Sequence, residues 1–187
     1  MHMEVLVAGD DVDAILLPFS AHLEVEPYEV ILDDDEVNEM AKSYGVPVTD
    51  PAALVSKMND WRHEPGFIKD GKLGRISQRN PRAKLDWYQV GGQWADGLRL
   101  RNPRRVYRFF GLIPAGYKST ATSALKSEVD SEFLQSNPPA ALVYDGKWKA
   151  STFFPNDEES KDWKEEFARA FADVPDNCRL TIVDVHS

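Results

Sequence analysis

The run from Leu180 to His186 constrains the fold more than any other feature of the sequence. It is almost continuously apolar and rich in β-branched residues, which is typical of a strand buried at the centre of a sheet. A second apolar run, from Met3 to Ala8, lies near the other end of the chain. We expect the first run to pair with the second, or with a strand predicted at 140–144. The sequence therefore predicts one sheet that joins both ends of the chain.

Two further signals add a hairpin and a helix to this sheet. Asp145-Gly146 follows the predicted strand at 140–144 and is typical of a two-residue hairpin turn. Trp163, Phe167 and Phe171 recur at helical spacing and predict an amphipathic helix near 157–172. We therefore predict an α+β fold with an antiparallel or mixed sheet. The order of elements also fits a ferredoxin-like split βαβ sheet with a long central insertion.

The middle of the chain is predicted to be less regular. Residues 65–82 hold several glycines and many basic residues, which favours a loop. Residues 120–134 place Leu125, Val129 and Phe133 on one helical stripe, which predicts a helix. A length of 187 residues suits one domain. We predict a single domain over 1–187, with residues 60–120 as a basic, aromatic-rich insertion.

The number of cysteines and the hydropathy of the sequence indicate the cellular compartment of the protein. The single cysteine, Cys178, excludes a disulfide framework within the chain and fits a reducing cytosol. No apolar run approaches the length that spans a membrane. We therefore predict a cytoplasmic protein, in the host cytosol if it is encoded by a phage, with no membrane partner. The sequence has no Gly-rich phosphate loop, so no cofactor is predicted.

The formal net charge of −9 conceals a basic segment. Residues 69–108 contain 11 Lys and Arg against 3 Asp and Glu, a local charge of +8. One interpretation is a contact with phosphate or nucleic acid, because cations beside aromatic rings suit nucleotides and single strands. The other is internal compensation by acidic helices. The acidity of the whole chain favours internal compensation, because net repulsion opposes a long polyanion.

The densest group of aromatic and polar residues lies at 80–94. Leu85 to Val90 reads as a strand, with Asp86 and Tyr88 on one face. Gly91-Gly92 ends the strand and lets another group approach closely. The stretch is either a structural aromatic plug with a buried, hydrogen-bonded Asp86, or the floor of a pocket to which Asp86 and Tyr88 offer polar contacts.

Candidate site residues follow from the second interpretation. Asp86 could act as a general base if folding brings the other catalytic candidates to it. The catalytic candidates are Asp86, Tyr88 and His186, and the candidates for ligand binding are Arg82, Lys84, Trp87, Gly91, Gly92, Gln93 and Trp94. A metal site made of His and carboxylate side chains is a further alternative, with His22, Glu24 and Glu26 as ligands together with Asp184 and His186. Their spacing matches no known ligand pattern, so no metal is predicted.

The same stretch carries a resemblance to a protein family. Leu85-Asp86-Trp87-Tyr88, followed by Gly91-Gly92-Gln93-Trp94, resembles the Trp-Asp-Trp-Tyr-x-x-Gly-Gly-Arg-Trp signature of an uncharacterised family of small proteins in bacteriophages and actinobacteria. Segments near both ends of the chain also resemble that family. The resemblance implies a phage or mobile-element setting rather than a reaction. Leu85 replaces the family's Trp and Gln93 its Arg, so a role of that Arg in binding an anion does not carry over.

Two classes of function follow. The first is a phage or mobile-element interaction protein that binds a host protein and inhibits it, for example a defence factor. The second is a small enzyme or ligand-binding protein that acts on a nucleotide-like or phosphorylated molecule at the stretch from Asp86 to Trp94. The sequence shows no recognisable catalytic set, which favours the first class. It leaves both catalysis and the oligomeric state open.

Overall fold

The computed structural model describes residues 1–60, 64–108, 113–151 and 157–187. The chain divides into two compact units. Met1–Ala21 and Arg82–Ser187 form the first unit, and His22–Pro81 form the second. The boundaries of this division differ from the insertion predicted over 60–120, because residues 82–120 belong to the first unit. The prediction of a single domain over 1–187 stays a prediction.

The described residues form eleven strands and five α-helices, joined by short 3₁₀ turns. In chain order they are β1 (His2–Ala8), α1 (Val12–Leu16), β2 (Tyr28–Ile31), α2 (Asp34–Tyr44), α3 (Pro51–Asp60), β3 (Gly66–Lys69), β4 (Lys72–Ser77), β5 (Trp87–Val90), β6 (Leu98–Arg108), β7 (Ile113–Ala121), β8 (Ser123–Leu125), α4 (Ser131–Ser136), β9 (Ala141–Tyr144), β10 (Lys147–Ala150), α5 (Asp157–Ala172) and β11 (Arg179–His186).

The main sheet of the first unit joins both ends of the chain, as predicted. β1 and β11 are antiparallel and pair from His2↔His186 to Ala8↔Leu180. β1 also pairs with β9 in parallel, and the strand order is β10-β9-β1-β11-β5, with β8 also beside β11. The α+β class with a mixed sheet is therefore confirmed.

The order of strands differs from the ferredoxin-like arrangement. In a split βαβ unit another strand lies between the two parallel strands. Here the parallel strands β1 and β9 are direct neighbours. The burial of the hairpin explains the order: Ala141, Leu142 and Val143 of β9 are buried, whereas Lys147 of β10 is exposed. The apolar strand therefore takes the interior position and the lysine-bearing strand takes the edge.

Alternate residues of β1 and β11 face two separate cores. Leu6 and Ile182 join one core, into which α5 buries Phe167 and Phe171. Their neighbours along the strands, including Val5, join the other core, on which α1 packs. Trp163 of α5 is 7% exposed and its indole N–H donates to the carbonyl of Pro139 at 2.9 Å. The predicted helix and its buried stripe are thus confirmed.

The second unit is a three-stranded antiparallel sheet, β2-β4-β3, with α2 and α3. Asp33 and Glu36 form a capping box at the start of α2, and Gly45 ends it at φ 66°. The prediction of a loop over 65–82 is wrong, because β3 and β4 form a hairpin there. Asp70 and Gly71 occupy its turn with φ of 52° and 77°. This Asp-Gly turn is the signal that correctly predicted the β9–β10 hairpin.

The prediction of a helix over 120–134 is also wrong. Strand β7 continues to Ala121, β8 follows, and helix begins only at Ser131. The side chain of Asp130 accepts a hydrogen bond from the Phe133 N–H and so caps this late start. Ser123 to Leu125 pair with β11 instead. Pairing to a buried strand outweighed the weak helical spacing of the apolar residues.

Candidate functional site

The predicted motif divides into two halves that lie on different parts of the first unit. Its second half, from Gly91 to Trp94, packs against the interior: Gly91 is buried and Trp94 contacts the core that contains Leu6. Its first half, from Lys84 to Tyr88, reaches the surface and lines two clefts. The second half is therefore packed into the interior, and the first half lies beside the clefts.

A buried carboxylate explains the glycine pair. Asp184 is 4% exposed, and a Cβ placed on Gly92 would lie 2.3 Å from the Asp184 Cβ. Gly92 also has φ of 52°, in the left-handed region. Removing the side chain at 92 lets the Gln93 N–H reach Asp184 Oδ2 at 3.2 Å. Gly92 and Gln93 thus support a buried acid, and their predicted role in ligand binding stays a prediction.

The second partner of Asp184 is His2, which sequence reasoning missed. His2 Nδ1 lies 2.8 Å from Asp184 Oδ1. The register of β1 and β11 brings them together, because His2 faces His186 and Asp184 lies two residues before it on the same face. Alternate residues of a strand share a face, so His2 and Glu4 lie on the same face of β1. Once β1 and β11 are predicted to pair, this alternation is the signal that could have identified the contact with Asp184.

His2, Trp87 and His186 form an aromatic cluster at this end of the sheet. Trp87 and His186 stack with centroids 5.3 Å apart and planes at 7°, and the His2 ring lies edge-on to both. His186 Nδ1 is shielded from solvent and lies 3.6 Å from Asp86 Oδ2, beyond hydrogen-bond distance. The Trp87 side of this cluster reaches solvent, since that residue is 46% exposed.

The alternative in which Asp86 is buried is wrong. Its side chain is 51% exposed, so the desolvated acid of this region is Asp184 instead. The Tyr88 hydroxyl donates to the Asp13 carboxylate, and the Tyr88 ring packs on the core that contains Val5. The catalytic candidates are therefore only partly brought together, because Tyr88 and His186 project from opposite faces of the sheet.

Two clefts meet at the segment that contains Leu85 and Asp86, both of which line each cleft. The larger has a volume of 610 Å³ and is also lined by Met3, Lys84 and Trp148. The smaller has a volume of 370 Å³. This is the size range of small-molecule sites. Arg82 stays outside this lining; its guanidinium lies over the Phe19 ring and donates to the Gly146 carbonyl at 2.7 Å.

Strand β5 is an edge of the main sheet. In the part of the chain that the structure describes, it pairs only with β11. The Gly91 N–H donates to the Ile182 carbonyl at 2.8 Å. Because an antiparallel ladder alternates, Gln89 also points its peptide groups to β11, and those of Tyr88 and Val90 point outward. The outer side of β5 therefore offers N–H and C=O groups for pairing.

In the described part of the chain, these features are accompanied by neither a cluster of metal-ligating side chains nor a reactive thiol. Across the described ranges, no three His, Cys, Asp or Glu side chains are grouped so as to hold a metal. His22, Glu24 and Glu26 belong to the second unit, and Asp184 and His186 to the first. Burial, with the nearby Asp10 carboxylate, raises the pKa of the Cys178 thiol. A protonated thiol is a poor nucleophile.

Much of the basic segment is compensated within each unit. In the first unit, Arg99 Nε lies 3.4 Å from Asp130 Oδ2, and the guanidinium of Arg104 pairs with the carboxylate of Glu128. In the second unit, Arg79 Nε lies 2.9 Å from Glu64 Oε1. The other carboxylate oxygen of Glu64, Oε2, lies 3.5 Å from Arg75 Nε. These pairs favour internal compensation over a continuous surface for a polyanion.

Comparisons with known proteins add no relative. No family model, curated protein or solved structure matches the chain. The resemblance to the phage and actinobacterial family thus stays a prediction. Among the residues with assigned structure, no helix is long and apolar enough to cross a membrane.

Proposed function

We propose that this chain is an interaction protein that binds an extended segment of a partner protein along the outer side of β5. The phage or mobile-element setting implied by the sequence resemblance makes a host protein the expected partner. Inhibition of that partner, for example a defence factor, is the expected effect. In this proposal the second half of the motif, with Gly92 and Asp184, holds β5 in place.

The difference between the two edges of the main sheet carries this proposal. At one edge, β10 presents Lys147 and Lys149, charges of the kind that discourage a further strand. At the other, the sequence of β5 is Trp-Tyr-Gln-Val, with neither charge nor proline. Trp87 and Val90 are 46% and 50% exposed there. An apolar, uncharged edge is a template for addition of a partner strand.

Charge indicates what kind of segment would bind. The chain has a net charge of −9, and Asp86 is exposed immediately before β5. A basic partner would be attracted to this surface and would associate faster at low salt. We therefore propose an extended segment rich in Lys or Arg, with apolar residues that contact Trp87 or Val90.

The test compares two exposed valines. Val90→Lys places a charge on the β5 edge, whereas Val48→Lys, at a residue 47% exposed in the second unit, is the matched control. Wild-type protein and both variants are used for affinity capture from lysate of a bacterial host, with quantification by mass spectrometry. We expect a protein that wild type and Val48→Lys retain and Val90→Lys loses. In the purified complex, the outward-pointing amides of Tyr88 and Val90 should become protected from hydrogen exchange.

Two results would overturn the proposal. One is a set of captured proteins that is the same for all three baits. The other is a purified complex in which exchange at the amides of Tyr88 and Val90 is unchanged, since the partner would then bind elsewhere. Light scattering on the free protein supplies an independent check. A dimer dispersed by Val90→Lys would show that a second copy, rather than a partner, occupies this edge.

The second class of function, a ligand-binding protein or small enzyme for a nucleotide-like or phosphorylated molecule, has one observation in its favour. The 610 Å³ cleft combines Trp148 with the exposed cation of Lys84. This observation concerns a different surface from the β5 edge, and both could operate in one protein.

A further inference from the structure

We propose that the 610 Å³ cleft binds a small molecule that joins a flat aromatic ring to one anionic group, as a nucleoside monophosphate does. The cleft is lined by apolar residues that include Met3, Leu85 and Trp148, with Lys84, Asp86, Ser151 and Ser187 as its polar members. This combination of apolar surface and a few polar groups is typical of ligand sites. The proposal rests on the second class of function proposed for this cleft, and it does not depend on the β5 edge.

Trp148 would contact the aromatic ring of the ligand. It is partly exposed, and its indole packs on Phe19 with centroids 5.4 Å apart. Phe19 is 3% exposed, and the Arg82 guanidinium lies 4.8 Å from its centroid. Trp148 is therefore held by a buried neighbour while part of its surface remains accessible. A fixed indole is a good platform for a nucleobase, because stacking tolerates every base.

Lys84 would bind the anionic group. Its residue is exposed, and within the described part of the chain no carboxylate lies within 4.0 Å of its ammonium group. Lys69 and Lys118, in contrast, are paired with Glu29 and Asp96. An ammonium without a carboxylate partner can form a charge-assisted hydrogen bond with phosphate at no cost in broken ion pairs.

Asp86 would restrict which anions are accepted. Its half-exposed carboxylate lines the same cleft as Lys84. A carboxylate can accept hydrogen bonds from ribose hydroxyl groups, but it repels additional phosphates. The net charge of −9 acts in the same direction. We therefore expect a monophosphate to bind more tightly than the corresponding triphosphate.

The test uses isothermal titration of the full chain with adenosine 5′-monophosphate, adenosine, ribose 5-phosphate and adenosine triphosphate. We expect the monophosphate to bind most tightly, with each of the two fragments weaker by about tenfold or more, the size of one stacking or charged contact. Lys84→Met should abolish the difference between monophosphate and nucleoside. Lys72→Met, which changes an exposed lysine of the second unit, should preserve it.

The comparison of ligands on the wild-type protein requires no variant, so it is decisive even if a substitution impairs folding. The proposal is overturned if none of the four molecules binds saturably at millimolar concentration. It is equally overturned if ribose 5-phosphate binds as tightly as the monophosphate, because the aromatic ring would then contribute nothing. A difference between monophosphate and nucleoside that persists in Lys84→Met would place the anion elsewhere.

Discussion

Substitution of Gly92 by alanine tests the structural half of the motif in the most detail. The new Cβ would lie 2.3 Å from the Cβ and 2.5 Å from Oδ2 of Asp184, distances at which one group has to move. Alanine at φ 52° costs about 1–2 kcal/mol from the left-handed backbone alone. Displacing Asp184 from the Gln93 N–H adds about 1–3 kcal/mol, because the acid is buried.

The sum is a loss of about 2–5 kcal/mol in the free energy of unfolding. For a chain of this size, it corresponds to a fall in melting temperature of roughly 5–20 °C. The assay is urea and thermal unfolding followed by circular dichroism. Gly146→Ala is the matched control, because Gly146 also lies in the first unit and has φ of 66°, but its Cβ would meet nothing within 4 Å. The control should lose only the backbone cost of about 1–2 kcal/mol.

The difference between the two variants isolates the contact with Asp184. If Gly92→Ala costs no more than Gly146→Ala, the close approach of Asp184 is refuted, and with it the explanation of the glycine pair.

Three further predictions concern stability. Trp163→Ala should lower the free energy of unfolding by about 3–5 kcal/mol, since the side chain is buried. Phe133→Ala, at a residue 40% exposed, should lower it by less than about 1 kcal/mol, and equal urea midpoints for the two variants would contradict this. By the same assay, Asp184→Asn should lower the free energy of unfolding by about 1–3 kcal/mol and Asp86→Asn by less than about 0.5 kcal/mol. A larger loss for Asp86→Asn than for Asp184→Asn would contradict the burial of Asp184 and the exposure of Asp86. Burial raises the pKa of Glu4, so the folded protein binds that proton more tightly than the unfolded chain and loses stability as pH rises through the folded-state pKa. Glu4→Gln should therefore be more stable than wild type at neutral pH but not at a pH below the ordinary carboxyl pKa, and a constant difference across pH would contradict the burial.

The elements of the fold that depend on short sequence patterns were predicted correctly from those patterns. The apolar run at β11, the Asp-Gly turn after β9 and the helical stripe on α5 each specify an element without help from the rest of the chain. The hairpin at Asp70-Gly71 carried the same turn signal, but its strands are short and rich in charge, so their apolar alternation was weak.

The candidate site was only partly predictable, because its contacts join distant parts of the chain. The His2–Asp184 contact spans 182 positions and depends on the register of two strands. Gly92 was expected to admit a close neighbour, but nothing local identified that neighbour as Asp184. The exposure of Asp86 depends on where the chain leaves the sheet, which the alternation of residues along a strand does not specify.

Hydrogen exchange of the free protein tests the central claim, an open outer edge of β5, most directly. The amide of Gly91 donates to Ile182, whereas the amides of Tyr88 and Val90 point away from β11. Residue-resolved exchange measured by NMR should therefore show slow exchange at Gly91 and fast exchange at Tyr88 and Val90. Protection of Tyr88 and Val90 equal to that of Gly91 in the free monomer would show that the edge is already covered, and would contradict the proposed mode of binding.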